Sequence, residues 1–100
     1  MSIFPDYDVI LWIYYNKFSE TLEKKILSSV GINPYERFDN DSVLDMHWGF
    51  ETWEEAVSFS EKLDTFSNNP NVIYLKASNI KDSGASIIYK DERYKNHNSQ

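Results

Sequence analysis

The stretch from Ser42 to Ser67 constrains the chain most, because it carries two periodicities back to back. Val43 to Phe50 alternates, with Leu44, Met46, Trp48 and Phe50 on one side and Asp45, His47 and Gly49 on the other. That period of two belongs to a strand with one buried face. Thr52-Trp53-Glu54-Glu55 then reads as a capping box, in which the Thr52 hydroxyl accepts from the Glu55 amide and the Glu55 carboxylate reaches back to the Thr52 amide. Trp53, Ala56, Phe59, Leu63 and Phe66 follow at spacings of three and four, which predicts a helix from Trp53 to about Ser67.

The remaining segments fit around this unit. Asp8 to Tyr15 is aromatic and β-branched on both faces and predicts a central strand. Ser19 is the expected N-cap of a helix to Val30, whose buried stripe is Phe18, Leu22, Ile26 and Val30 with Leu27 beside it. Gly31 fits the left-handed position after its last turn, and Asn33-Pro34 blocks continuation. Tyr35 to Phe38 predicts a short strand, turned by Asp39-Asn40-Asp41 onto Val43 to Phe50. Asn71 to Ala77 and Ala85 to Lys90 predict two more strands, separated by a turn at Asp82-Ser83-Gly84.

The order predicts an α+β fold: a two-layer ferredoxin-like sandwich, with a mostly antiparallel sheet, two helices on one face and an extra C-terminal strand. Residues 1–90 are expected to form one domain and residues 91–100 a polar, mobile tail. Parity sets the faces. If the helices cover Val9, Leu11, Ile13, Leu44, Met46, Trp48, Ile73 and Leu75, the opposite face carries Ile10, Trp12, Tyr14, Asp45, His47, Tyr74 and Lys76. Aromatic residues on a bare sheet face call for a cover, either the C-terminal strand and tail or another protein.

Charge narrows the function. The chain has a formal net charge of −6, and the window from Glu36 to Glu55 accounts for all of it, with seven acids against Arg37. Such a field repels nucleic acid and attracts basic surfaces. Trp12, Tyr14 and Tyr74 resemble base-stacking sheet aromatics, but the accompanying glycine-aromatic motif is absent. There is no cysteine, which excludes disulfides and thiolate metal sites and suits a reducing compartment. The N-terminal residues lack a signal-peptide pattern, and the apolar run from Val9 to Tyr15 is too short to span a bilayer, so a cytoplasmic protein without membrane contact is expected.

Catalytic and metal-binding patterns fall short. Asp45 and His47, two apart on one strand face, form half of an acid–base pair, but no nucleophile in a strained turn accompanies them. Asp39-Asn40-Asp41 begins like a calcium loop yet lacks the glycine and the terminal glutamate. The reading is therefore a non-enzyme, with neither cofactor nor metal. The candidate partner-binding residues are Glu36, Asp39, Asp41 and Asp45 for charge, with Tyr35, His47, Trp12 and Tyr14 as anchors.

A small, acidic, cysteine-free chain with one acidic cluster and exposed aromatics resembles the bacterial toxin-immunity proteins of the contact-dependent growth inhibition type. That resemblance implies a protein that binds one cognate basic toxin domain, often a nuclease, and neutralises it as a monomer in a 1:1 complex. The stretch Trp48-Gly49-Phe50-Glu51-Thr52-Trp53-Glu54-Glu55-Ala56 also looks like the strand-to-helix step of dimeric ferredoxin-like small-ligand and monooxygenase families, though without their histidine and aromatic pocket pattern. It implies the alternative, a dimeric ligand-binding protein or enzyme.

Overall fold

The computed structural model describes residues 6–15, 19–40, 42–81 and 84–93. The expectations that fall on Phe18, Asp41, the Asp82-Ser83 pair and residues 94–100 lie outside the described residues. The element order is β1 (Tyr7–Tyr14), α1 (Ser19–Val30), β2 (Glu36–Asn40), β3 (Val43–Phe50), α2 (Trp53–Asp64), β4 (Val72–Asn79) and β5 (Ala85–Asp91). The strands form one open sheet in the order β2-β3-β1-β4-β5, and every neighbouring pair is antiparallel. No helix among the described residues is long and apolar enough to cross a membrane.

Both helices pack against the sheet, and the alternation of β1 and β3 decides which face they meet. Leu22, Ile26 and Val30 of α1 and Ala56, Phe59 and Leu63 of α2 join one core with Val9, Leu11, Ile13, Leu44, Met46, Trp48, Leu75 and Ala77. Trp48 fills its centre, with its ring centroid 5.1 Å from that of Phe59 and its indole N–H donated to the Ile32 carbonyl at 2.9 Å. That bond satisfies the one polar atom that Trp48 would otherwise bury unpaired.

The helix ends follow local chemistry. Thr52 Oγ1 accepts from the Glu55 amide at 3.1 Å, as a capping box requires, but the Glu55 carboxylate accepts from the Thr52 hydroxyl at 3.0 Å, not from the Thr52 amide. The α-helix stops at Asp64, short of Ser67; Phe66 and Ser67 then donate three residues back, to Leu63 and Asp64, in tighter turns. Gly31 takes φ of 72° and donates to the Leu27 carbonyl.

The β1–β4 pairing slips between Trp12 and Ile13, so Ile13 faces Val72 while Trp12 still faces Tyr74. Val72 therefore enters the helix-side core at the position where unbroken alternation puts Ile73, and Ile73 is buried outside that cluster. The C-terminal strand does not fold over the open face. It extends the sheet beyond β4, and only the Arg93 side chain, just after it, reaches over Tyr74.

Candidate functional site

The face of the sheet away from the helices carries the candidate site, and cross-strand register assembles it. One row runs Glu36, His47, Ile10, Lys76, Ile88; the next runs Phe38, Asp45, Trp12, Tyr74, Asp91. Asp8 sits beside them on β1, opposite Gly49, whose missing side chain leaves room over it.

His47 is the hub. Its Nε2 lies 2.9 Å from Asp45 Oδ1 and its Nδ1 lies 3.1 Å from Asp8 Oδ2. The Asp8 contact is a hydrogen bond, whereas the Asp45 oxygen, although close, lacks an aligned donor and is held as an ion pair. The two carboxylates, Asp45 foremost, outweigh partial burial and push the imidazole pKa up to about 10. His47 is thus a cation at neutral pH. Tyr35 reaches over the cluster from the loop before β2: its hydroxyl donates to Asp8 Oδ1 at 2.9 Å, and its ring meets the imidazole edge-on at 6.1 Å. Tyr35 as a whole remains 52% exposed while its hydroxyl end is tucked in; that local burial, with the bond to Asp8, raises the phenol above its ordinary range.

Two carboxylates around one imidazolium leave a single negative charge, and Glu36, opposite His47, adds another. The other end of the face is basic. The Arg93 guanidinium lies 3.8 Å from the Tyr74 ring centroid and 5.5 Å from that of Trp12, and Asp91 grips it at 2.8 and 2.9 Å. Lys76 approaches the Tyr74 ring at 5.9 Å. The open face therefore has an acidic end at β2, β3 and the start of β1, and a cation-capped aromatic end at β4 and β5.

Six of the eight sequence-predicted site residues share this side of the molecule: Tyr35, Glu36, Asp45, His47, Trp12 and Tyr14. Asp39 does not. With Arg37 it points to the helix face, where Arg37 pairs with Glu23 of α1 at 2.6 and 3.0 Å and with Asp39 at 3.2 Å. Asp41 lies outside the described residues. Sequence reasoning passed over Asp8, whose partners Tyr35 and His47 lie 27 and 39 positions away. The available signal was a single acid inside an otherwise apolar strand, since such a group needs a partner when buried.

Among the described residues no group of three or more His, Asp and Glu side chains is placed to hold a metal ion. A cleft of about 510 Å³ lies elsewhere, between Leu22 and Lys25 of α1 and Phe66, Asn69 and Asn71 of the α2–β4 connection. It gathers no cluster of charged groups. The chain matches no protein-family model, no curated protein and no solved structure.

Proposed function

We propose that this protein is a cytoplasmic immunity protein that binds a basic toxin domain as a monomer in a 1:1 complex and blocks it, using the acidic end of the open sheet face. The strand order β2-β3-β1-β4 supports a ferredoxin-like assignment for the first four strands, with β5 as the added edge. The observation that carries the reading is the Asp8–His47–Asp45 cluster flanked by Glu36: net negative, partly open to solvent, and rimmed by Tyr35, Phe38 and Trp12. A guanidinium or ammonium from a partner finds carboxylates there and aromatic rings beside them. An inhibitor also fits the state of His47, because an imidazole already protonated at neutral pH does not serve as a general base.

Association kinetics with the basic toxin domain test this. Glu36→Gln with Asp45→Asn should slow association about tenfold at low ionic strength and much less at high salt. The control is Glu20→Gln with Glu61→Gln, which removes equal charge from exposed helix positions. Glu23 is unsuitable as a control because it holds Arg37. Equal slowing by both pairs, or by neither, would show that no local acidic site exists.

A further inference from the structure

The free edge of β2 has two independent properties that point to the same pairing. Tyr15 donates to the Ser42 carbonyl, so Leu44, Met46 and Trp48 bond toward β1 and Asp45 and His47 toward β2, where Phe38 and Glu36 exchange backbone hydrogen bonds with them. Arg37 and Asp39 then direct their N–H and C=O groups outward. Every residue of this strand is exposed. Phe38, at its midpoint, is 59% exposed on the open face.

We propose that β2 is a self-pairing edge through which two copies of this chain join antiparallel, about a two-fold axis at Phe38. Backbone parity allows outward-facing residues to pair only with one another, which leaves three symmetric registers. Centring on Arg37 sets arginine against arginine, and centring on Asp39 sets acid against acid; like charges directly opposite are destabilising. Centring on Phe38 sets Arg37 against Asp39 of the second copy, twice over, and satisfies the outward groups of both residues. It also brings the two Phe38 rings together as a non-hydrogen-bonded pair, the arrangement with the closest side chains. The contact is isologous and closes at two copies. Both sheets continue into one, with all four helices on one side and both open faces on the other.

The opposite edge lacks this consistency. Ile88 of β5 is 55% exposed, but the β4–β5 register shifts at Leu75/Lys76, a bulge of the kind that blunts an edge. Five-residue strands bury little area, so the expected dimer is weak and concentration-dependent. It requires no toxin; Phe38 belongs to both surfaces, so this weak dimer separates when the chain enters the 1:1 complex proposed above.

Because the chain has no cysteine, one introduced thiol reports one position. Phe38→Cys places two thiols across the two-fold within disulfide reach, so mild oxidation should yield a covalent dimer at least about tenfold faster than for Ile88→Cys. Sedimentation of the wild type should show a monomer–dimer equilibrium, and Asp39→Arg, which sets arginines opposite one another, should weaken it at least about tenfold with the circular dichroism unchanged. Equal cross-linking at the two positions overturns the proposal. So does a wild type that stays monomeric to about 1 mM, which would leave the edge to a strand of another protein. A dimer indifferent to Asp39→Arg overturns the register.

Discussion

Removing the proton from His47 is expected to strip the fold of a sizeable part of its stability. The Asp45 carboxylate, and then that of Asp8, raise the imidazole pKa from 6.5 to about 10. The folded chain holds this proton more tightly than the unfolded chain does. The stabilisation is therefore complete below about pH 6.5 and is lost as pH rises through about 10. A difference of 3.5 (10 less 6.5) corresponds to an upper bound of about 5 kcal/mol, at ~1.36 kcal/mol per pKa unit. The imidazole side chain is still 20% exposed, and solvent screening brings the expected figure nearer about 3 kcal/mol. Urea melts of the wild type and of His47→Gln, run from about pH 6 to about pH 10.5, measure it. Glutamine keeps a donor without a titrating charge, and comparison of the two proteins cancels the lysines and tyrosines that titrate near the upper limit. Tyr35 stays protonated through the window because its hydroxyl is held above its usual range. The stability gap between the two proteins should narrow by about 3 kcal/mol across the window. Parallel profiles would mean that Asp8 and Asp45 do not hold the proton. His47→Gln at neutral pH should itself be costly, at about 3 kcal/mol, since it leaves the buried Asp8 carboxylate without its cation.

Two further outcomes test the scaffold. Trp48→Ala should cost about 3–5 kcal/mol in the same melts, because it opens a cavity beside Phe59 and strands the Ile32 carbonyl. Gly31→Ala should cost about 1 kcal/mol; no heavy atom lies in the way, so the penalty is the positive φ alone and would vanish if α1 ended in another way.

Parity was the most legible part of this chain. Leu44, Met46 and Trp48 are buried and Asp45 and His47 face away, as the alternation of β3 requires. The approach of Asp45 to His47 follows from the same period of two. What stayed hidden depends on register between distant segments. Asp8 meets His47 only because β1 and β3 pair in one particular register, and nothing local in either strand sets it. The acidic window reads as one patch along the chain, yet the same alternation divides it, sending Glu36 and Asp45 to the open face and Asp39 to the helix face. The bulge after Trp12, which exchanges Val72 for Ile73, leaves no mark in two consecutive β-branched residues that serve either face equally well. Arg93, placed by sequence in a mobile tail, lies on Trp12 and Tyr74 because β5 ends beside them.

The central place of β1 bears on how the chain folds. It precedes the other four strands of the sheet in the chain, and both of its neighbours come later, β3 from the middle of the chain and β4 from beyond α2. No hairpin can satisfy it. An emerging chain therefore carries a strand apolar on both faces with two open edges until β3 appears, and with one open edge until Asn79 has left the ribosome. Closing those long loops before their contacts are repaid makes sheet formation slow for a domain of this size. Stalled synthesis between Phe50 and Val72 leaves β1 without its β4 partner, and an unpaired edge of this kind is a template for pairing with another chain.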